Sequence, residues 1–365
     1  FVAGESSGDV HAAGVAADLR ARAPELQLIG VGGERMRAAG VELLEHTDAL
    51  AVMGFAEVVR HLPKHFALLS ALKRRVRGGK VALLIVVDYP DFNMKLAAAA
   101  HAAGVPVLYF ITPQVWAWRP KRLASLAKTV TRAAVILGFE EKLLRDHGID
   151  ATFVGHPLLD RAHDLPSRDD ARRSLGITND APVLALFPGS REQEILRHLD
   201  DFVATARDVA RLVPGVQPVV SVAPGITIPA ERCPFPQYSG AAFTVLRAAD
   251  AALCKSGTTT LEAAMCGTPF VITYRTSKLT YAIGKRLVKV PYIGLVNWVA
   301  GRKLVPEFVQ DAFQPAAVAA ALAPLFDPRS SERASMLAGL ADVRAKLGTP
   351  GASRRVAEMA LAMVK

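Results

Sequence analysis

Residues 81–93 read VALLIVVDYPDFN, an uninterrupted apolar run that ends in two acids on either side of a proline. An apolar run bounded by such a turn signal predicts a strand over residues 81–87. Other apolar runs predict strands at residues 26–31, 107–111, 133–137 and 152–154. Helical patterns lie between them, at residues 11–23, 93–103 and 140–147. Strands that alternate with helices predict parallel βαβ units.

The same alternation restarts after a polar stretch, RAHDLPSRDD at residues 161–170, which predicts a linker. Strands are predicted at residues 183–187, 217–222, 251–254 and 270–273, and helices at residues 315–325 and 329–364. The chain is therefore predicted to be an α/β protein with two Rossmann-like parallel-sheet domains and a helical C-terminal tail. The expected boundaries are 1–163, 171–345 and 346–365, and two alternatives are open for the last segment, a helix that crosses back or one that is exchanged between subunits.

Composition and charge narrow the class of protein. The chain has 365 residues, enough for two cores, and a formal net charge of +10. That surplus favours a phosphate-bearing partner, which leaves nucleic acid, an anionic membrane surface and a phosphorylated small substrate open. The three cysteines form no C-x-x-C pair, which argues against a metal knuckle and a disulfide framework and favours a reduced cytoplasmic setting.

No apolar run approaches the roughly 20 residues that cross a bilayer, and no signal peptide is visible. The sequence starts inside a predicted strand, at Phe1, without a methionine. We therefore expect residues to be missing before it.

Two loops in the second half have the pattern of phosphate-binding loops. FPGSR at residues 187–191 and KSGTTTLE at residues 255–262 follow predicted strands and place Gly and Ser at a helix N-terminus. Free N–H groups and the helix dipole favour an anion there. The predicted nucleotide and diphosphate contacts are Gly189, Ser190, Arg191, Ser256, Gly257, Thr258 and Glu262. The alternative is that both serines are ordinary N-caps and Glu262 is a surface acid.

A third loop, GESSGD at residues 4–9, follows the first predicted strand but lacks the G-x-G-x-x-G spacing, so a dinucleotide site is poorly supported.

Asp88 and Asp91 lie at the carboxyl end of the predicted strand over residues 81–87, where a general base is well placed. The alternative is that one of them caps the next helix. TPQVWAWRPKR at residues 112–122 sets two tryptophans beside cations, which suits sugar faces, phosphates or bases. The alternative interpretation of this segment is a pair of tryptophan side chains buried in the protein, with no ligand.

A basic amphipathic stretch begins near residue 55 and predicts an element at a membrane surface. The predicted membrane contacts are Phe55, Val58, Val59, Leu62, Phe66 and Leu69. The alternative is a helix packed on the core with a solvated basic face. Pro63 interrupts the pattern, so two short helices are also open. No Asp-x-Asp occurs, which disfavours a metal-bridged glycosyltransferase, and no metal or other cofactor is expected.

Read together, nine segments resemble the lipid-A-disaccharide synthase family of GT-B glycosyltransferases, glycosyltransferase family 19. They are AGESSGD (3–9), GVGGERM (30–36), VMGFAEV (52–58), DYPDFN (88–93), TPQVWAWRPKR (112–122), FVGHPL (153–158), PGSREQE (188–194), SGTTTLE (256–262) and YIGLVNWVAGRKLVPEFVQ (292–310). PQVWAWR with DYPDFN is more specific than either phosphate loop alone. Thr112 and Trp298 depart from the pattern, which has Ser and a smaller apolar residue there.

The resemblance implies an inverting transfer from UDP-2,3-diacylglucosamine to 2,3-diacylglucosamine 1-phosphate, which releases UDP and leaves a β-1,6-linked disaccharide phosphate in lipid A biosynthesis. It implies Asp91 as the base, with Asp88 as the alternate, and Asn297 and Gln310 as contacts to the diphosphate or sugar. It also implies an enzyme peripheral on the cytoplasmic face of the inner membrane, and a homodimer with exchanged C-terminal segments. The implied acceptor side comprises Glu5, Ser6, Ser7, Gly8, Gln114, Trp116 and Arg119.

Two rival interpretations remain. One is another GT-B enzyme acting on a UDP-sugar, such as a lipid-linked N-acetylglucosamine transferase or an epimerase, which would share the diphosphate loops. The other is a non-catalytic nucleic-acid-binding protein, which the net charge permits. No RNP-type strand or helix-turn-helix pattern supports the second rival, so no nucleic-acid partner is expected.

Overall fold

The structure is a computed structural model that describes residues 1–47, 55–114, 121–162, 164–178, 180–277, 281 and 291–364, with only the backbone described at residues 55–62 and 121. It divides into two compact units. The first unit comprises Phe1–Asp160 together with Gly348–Lys365, and the second comprises Arg161–Leu347. The first unit is therefore built from two separate pieces of the chain.

The first unit contains a seven-stranded parallel sheet in the order β3-β2-β1-β4-β5-β6-β7. The chain builds outward from β1 to one edge and then from β4 to the other, so the strand order reverses between β1 and β4, where Val2 pairs with Val86 and Ala3 with Val87. The strands are β1 (Val2–Ala3), β2 (Ile29–Gly32), β3 (Glu42–His46), β4 (Leu84–Val87), β5 (Val107–Phe110), β6 (Arg132–Val135) and β7 (Ala151–Phe153).

Helices cover both faces of this sheet. They are α1 (Ser6–Arg22), α2 (Glu34–Ala38), α3 (Phe55–Arg77), α4 (Pro90–Ala102), α5 (Lys121–Thr129), α6 (Gly138–Arg145), α7 (Leu158–Arg161, which ends at the boundary between the units) and α15 (Ala352–Val364). On one face Val86 lies in a core with residues of α3, α4, α5 and α6. On the other face Ile85 and Val87 lie in a core with residues of α1, α2 and α15. Both faces are buried, which explains why β4 is apolar throughout.

The second unit contains a six-stranded parallel sheet in the order β10-β9-β8-β11-β12-β13. Its order reverses between β8 and β11, where Leu253 pairs with Leu186. The strands are β8 (Val183–Phe187), β9 (Gln217–Val222), β10 (Gln237–Ser239), β11 (Ala251–Lys255), β12 (Phe270–Tyr274) and β13 (Glu307–Val309). The helices are α8 (Arg168–Ser174), α9 (Glu192–Leu212), α10 (Ala242–Ala248), α11 (Thr259–Cys266), α12 (Leu295–Ala300), α13 (Pro315–Leu322) and α14 (Ser331–Lys346), with 3₁₀ turns at Gln310–Ala312 and Ala323–Phe326.

Three local expectations differ from the structure. The last part of the predicted linker begins α8, which Ser167 caps at the backbone N–H of Asp170, while Arg168 and Arg172 form ion pairs with Asp250. The helix predicted over residues 329–364 is two helices, α14 and α15, which belong to different units. The stretch that begins at Phe55 forms one helix with Pro63 inside it, in place of two short ones.

Candidate active site

The carboxyl ends of β1 and β4 bring two acids together at the point where the first sheet reverses its strand order. Ligands of open α/β sheets bind at such points. Asp88 directly follows β4, and Glu5 follows β1 one residue further on. Burial raises the pKa of Asp88 to about 6, the negative charge of Glu5 adds to the rise, and a hydrogen bond from the backbone N–H of Tyr89 partly offsets it. Asp88 is thus a half-buried carboxyl group whose pKa lies near neutrality.

The backbone at Asp88 is strained. Asp88 has φ 48° and Tyr89 has φ 49°, in the left-handed region that non-glycine residues rarely adopt. Each such residue costs on the order of 1–3 kcal/mol, and strain of this kind clusters at functional sites. Nδ2 of Asn93 and the hydroxyl of Tyr109 both donate hydrogen bonds to the carbonyl oxygen of Asp88, at 2.7 and 2.8 Å.

The ring of Tyr89 explains the glycine that follows β1. A Cβ atom on Gly4 would lie 2.3 Å from Cγ of Tyr89, so no side chain fits there. The hydroxyl of Tyr89 lies 2.8 Å from Nε2 of His65 on α3, at hydrogen-bonding distance. The strained turn is therefore in contact with three other elements.

Asp91 has different surroundings from Asp88. It lies in the first turn of α4, its side chain is 78% exposed, and it forms an ion pair with Arg122 of α5. Its carboxylate is already matched by a cation, whereas the charge that shifts the pKa of Asp88 is the like charge of Glu5. The geometry therefore favours Asp88 over Asp91 as a group that takes up a proton.

The other predicted acceptor residues are only partly gathered at this edge. Glu5 immediately precedes α1, Ser6 and Ser7 are exposed in its first turn, and Gly8 is buried. Gln114 is half-buried just beyond β5. Trp116 and Arg119 lie outside the described residues.

Asp9 is a residue whose role sequence reasoning missed. It is buried, and its carboxylate accepts hydrogen bonds from the backbone N–H groups of Gly33, Arg35 and Met36. The carboxylate thereby caps α2 and ties the 4–9 loop to the GVGGERM segment. A signal was present, because Asp9 comes shortly after β1 and residues 33–36 directly follow the neighbouring strand β2.

The structure places the predicted membrane contacts in different environments. Phe66 is 56% exposed and lies beside Lys95, whose Nζ is 5.9 Å from the ring centroid. Leu69 is buried in the core beneath α3, so its prediction as a membrane contact is wrong. The side chains of Phe55, Val58, Val59 and Leu62 lie outside the described residues. Across the described helices, none combines the length and the apolar character that a bilayer crossing requires.

In the second unit the two predicted phosphate loops follow β8 and β11, which are neighbours at the reversal of that sheet. Ser190 does not cap α9, which begins at Glu192 without a side-chain cap. Ser256 does not cap α11 either, because its hydroxyl donates to the carbonyl oxygen of Ile293 at 2.8 Å. The structure therefore removes the interpretation of both serines as ordinary N-caps.

A half-buried ion pair connects α9, which follows the first loop, to Lys255 at the start of the second. Nζ of Lys255 lies 2.6 Å from Oε1 of Glu194, and Oε2 of Glu194 accepts a hydrogen bond from the backbone N–H of Ser190 at 3.0 Å. Burial opposes ionisation of Glu194, but these two contacts keep its pKa below the usual value. Gly189 adopts φ 149°, and a Cβ atom there would lie 2.6 Å from Cβ of Glu194. A charged residue at the end of an apolar strand, Lys255, was the signal that sequence reasoning passed over.

The remaining predicted contacts differ in exposure. Thr258 and Arg191 are exposed, and nothing lies within 4 Å of the position of a Cβ atom on Gly257. Glu262 is not the surface acid of the alternative interpretation, because it is only 8% exposed. Burial raises its pKa, and the nearby guanidinium of Arg161, 3.5 Å away, partly offsets the rise.

The side chains of Asn297 and Gln310 form hydrogen bonds to other groups of the protein. The Asn297 amide is fully buried and makes four hydrogen bonds: to the carbonyl oxygen of Val305, to Glu307, and from the N–H groups of Leu304 and Val305. Nδ2 donates two of these hydrogen bonds and Oδ1 accepts the other two, so the amide is fully used within the protein. The geometry therefore gives Asn297 a structural role in place of the predicted ligand contact. Gln310 binds the N–H and the carbonyl oxygen of Thr276.

No group of three His, Cys, Asp or Glu side chains is arranged to hold a metal ion within the part of the chain that the structure describes.

Comparison with solved structures identifies the fold. The chain is similar to UDP-GlcNAc 2-epimerase from Neisseria meningitidis bound to UDP-GlcNAc, with a TM-score of 0.62, 12% identity and coverage of 99% of this chain and 98% of that one. It is equally similar to the glycotransferase of kitacinnamycin, with a TM-score of 0.62, 16% identity and coverage of 100% and 98%. At these identities the likeness shows the fold alone, which is GT-B, as the sequence predicts.

Comparison of sequences identifies the family. The family described as Lipid-A-disaccharide synthetase matches residues 1–359. Lipid-A-disaccharide synthase of Syntrophus aciditrophicus is 40% identical, over 100% of this chain and 97% of that protein, and the enzyme of Myxococcus xanthus is 41% identical, over 100% and 96%. The chain therefore belongs to the lipid-A-disaccharide synthase family of glycosyltransferases.

Proposed function

We propose that the chain transfers a diacylglucosaminyl group from UDP-2,3-diacylglucosamine to 2,3-diacylglucosamine 1-phosphate with inversion at the anomeric carbon. The observation that carries the mechanism is the half-buried carboxyl group of Asp88, with its pKa of about 6, at the reversal of the first sheet. A general base works best when its pKa lies near the working pH. Asp88 meets that condition, and it replaces Asp91 as our candidate base.

In the reaction the acceptor 6-hydroxyl gives its proton to the carboxylate of Asp88 as its oxygen attacks the anomeric carbon. The bond from that carbon to the diphosphate oxygen breaks on the opposite side, and the electron pair leaves with UDP. Direct displacement converts the α-linked donor into a β-linked product.

The second unit supplies the groups that hold the leaving diphosphate. The backbone N–H groups of Gly189, Gly257 and Thr258, together with the guanidinium of Arg191, are donors suited to developing phosphate charge. Neither serine caps a helix, but the hydroxyl of Ser256 already donates to the carbonyl oxygen of Ile293, so only Ser190 supports this assignment. We assign Glu262 to the ribose hydroxyls.

We expect turnover to be independent of added metal ions, so treatment with EDTA should leave the rate unchanged.

The substrate assignment is tested by UDP release. The purified chain is incubated with the acylated acceptor and either UDP-2,3-diacylglucosamine or UDP-N-acetylglucosamine. We expect release of UDP with the acylated donor only, and only when the acceptor is present. Release from UDP-N-acetylglucosamine, or its conversion without an acceptor, would instead support another enzyme that acts on UDP-sugars.

The choice of base is tested by a matched pair of variants. Asp88→Asn should lower kcat by about 100- to 10,000-fold, the usual contribution of a general base, while the affinity for UDP stays unchanged. Asp91→Asn removes the ion pair with Arg122 and should lower kcat far less. The reverse ranking would return the role of base to Asp91.

We further propose that the enzyme acts on the cytoplasmic face of the inner membrane. The formal net charge of +10 and the exposed ring of Phe66 beside Lys95 support this, because cations attract anionic lipids and aromatic rings enter the interface. Sedimentation with phosphatidylglycerol vesicles should fall for Phe66→Ser relative to the parent. The exchange of C-terminal segments between two subunits stays a proposal, which light scattering and cross-linking would test.

A further inference from the structure

The left-handed turn after β4 is held in place by side chains that the proposed reaction does not use. Two consecutive residues other than glycine, Asp88 and Tyr89, both have positive φ. Such a conformation persists only where surrounding contacts determine it more strongly than local preference opposes it. The contacts that do so here converge on one atom, the carbonyl oxygen of Asp88.

Two buried donors meet at that oxygen from different elements. The hydroxyl of Tyr109, on β5, donates at 2.8 Å, and Nδ2 of Asn93, on α4, donates at 2.7 Å. Both side chains are fully buried. Nδ2 of Asn93 also lies 3.2 Å from the carbonyl oxygen of Val87 and 3.4 Å from that of Val2, so it links the ends of β4 and β1.

The Tyr109 hydroxyl stays protonated and therefore remains a hydrogen-bond donor. Burial raises the pKa of this hydroxyl well above its usual value, and the charge of the Asp88 carboxylate adds to the rise. It therefore keeps its proton over the whole range in which an enzyme works. If the carbonyl oxygen of Asp88 lost its donors, the turn would relax toward negative φ, and the carboxylate would swing away from its present position beside Glu5.

We propose that Tyr109 and Asn93 are positioning residues, which hold the carbonyl oxygen of Asp88 and thereby aim its carboxylate at the acceptor hydroxyl. This inference rests on the proposed role of Asp88 as the base. The titratable and charged groups that face Asp88 or the residues in contact with it are Glu5 before α1, Tyr89 and Asp91 at the start of α4, Tyr109 on β5, Arg122 on α5, and His65 of α3.

The central variant is Tyr109→Phe, which removes one hydroxyl and keeps the buried ring. We expect kcat to fall by about 10- to 100-fold, the usual effect of displacing a catalytic group by about 1 Å, with KM for both substrates nearly unchanged. The acidic limb of the kcat–pH profile should also shift, because the surroundings of the Asp88 carboxylate change. UDP affinity, which depends on the second unit, should be unchanged.

Tyr238→Phe is the matched control. The hydroxyl of Tyr238 also donates to a backbone carbonyl oxygen, that of Leu175, but this pair belongs to the second unit. This variant should keep both kcat and the pH profile of the parent. Asn93→Ala, alone and combined with Tyr109→Phe, completes a double-mutant cycle. Because both donors act on one oxygen, their effects on kcat should not be additive.

The outcomes separate this inference from the proposed function. If Asp88→Asn is inactive but Tyr109→Phe keeps kcat and the pH profile within two-fold of the parent, the base stands and the positioning role is wrong. If Asp88→Asn keeps its turnover, the base is wrong and the positioning role is wrong with it. If Tyr109→Phe loses UDP binding or its cooperative thermal transition, its role is structural, which also overturns the inference.

Discussion

At the scale of the residue, Asp88 couples activity to stability. Its carboxyl group is half-buried and is affected by the negative charge of Glu5, so the folded protein favours the protonated acid. The property that suits a base for proton transfer is therefore also a source of instability once the group is ionised. Sites that combine strain and a buried charge often show this conflict between stability and function.

Turnover should accordingly depend on pH through Asp88. Below a pH of about 6 the carboxyl group is protonated and cannot accept the proton of the acceptor hydroxyl. We expect kcat to fall about tenfold per pH unit on the acidic side of this value, measured by UDP release with saturating substrates. A flat profile between pH 5 and pH 7.5 would contradict the assignment.

Asp88→Asn should stabilise the first unit. The folded-state pKa of Asp88 is raised from 3.8 to about 6, so the ionised form destabilises the fold fully above pH 6 and not at all below the unfolded pKa. At roughly 1.4 kcal/mol per pKa unit, removing the charge should raise the free energy of unfolding by up to about 3 kcal/mol at pH 7.5. Asparagine also tolerates positive φ well. Urea denaturation should show a gain at pH 7.5 that vanishes near pH 3.5.

Sequence reasoning found the residues of the acidic loop but ranked them differently. The spacing of DYPDFN puts Asp88 and Asp91 in one short loop, and either could serve as a base. What separates them is the burial of Asp88 beside Glu5 and the ion pair of Asp91 with Arg122, which are tertiary contacts. Neither the left-handed turn nor the donors that hold it can be read from local sequence, because non-glycine residues adopt positive φ only under tertiary constraint.

At the scale of the element, the loops after β8 and β11 are coupled to each other, because the ion pair between Glu194 and Lys255 connects them. The ion pair sets the position of the Ser190 N–H, since the other oxygen of Glu194 accepts from it. Any change in the pair should therefore reach the groups that we assign to the diphosphate.

Lys255→Met tests this coupling. The variant leaves Glu194 partly buried without its cation, which is unfavourable, and releases the loop at residues 189–191. We expect the Kd for UDP to rise about tenfold, equivalent to about 1.4 kcal/mol, in isothermal titration calorimetry. Lys142→Met is the control, because Lys142 forms an exposed i,i+4 pair with Asp146 that contributes little. An unchanged Kd in Lys255→Met would show that the pair is incidental.

The strands that sequence reasoning missed share a position in the fold. β3, β10 and β13 are all edge strands, and β3 (ELLEH) and β10 (QYS) carry polar residues. Central strands are covered on both faces and read as apolar runs, whereas edge strands are short and polar, which gives periodicity little to detect. The amphipathic pattern of α3 has the same limit, because it cannot tell a residue that faces a sheet, such as Leu69, from one that faces outward, such as Phe66.

At the scale of the whole molecule, the last helix completes the first unit. Val356 and Ala357 of α15 are fully buried in the core that α1 and the first sheet share. Arg355 adds a hydrogen bond from Nε to the carbonyl oxygen of Val154 at 2.8 Å. The two parallel sheets were predictable from alternating strands and helices. Two destinations stayed open for this helix, crossing back or exchange between subunits, because its apolar face would fit any sheet that lacked a cover.

Val356→Asp should unfold the first unit selectively. An unpaired charge at a fully buried position costs several kcal/mol, whereas the second unit has its own core and should stay folded. Limited proteolysis followed by mass spectrometry should show cleavage in the 1–160 segment and survival of the 161–347 segment. Glu358→Gln, on the exposed side of the same helix, removes only a weak pair with Arg22 and should resist cleavage like the parent. Uniform digestion of both segments in Val356→Asp would contradict the prediction.

The discontinuous first unit also sets an order of events during synthesis. The ribosome releases the whole 161–347 segment before it releases α15, so the second unit can fold while the first still lacks one of its layers. Until then the apolar surface on α1 stays open to water, a place where a nascent chain is prone to aggregate or to meet a chaperone. Pairing α1 with α15 closes a loop nearly as long as the chain, and such distant contacts form slowly. The maturation time of this enzyme should thus be set by its final helix.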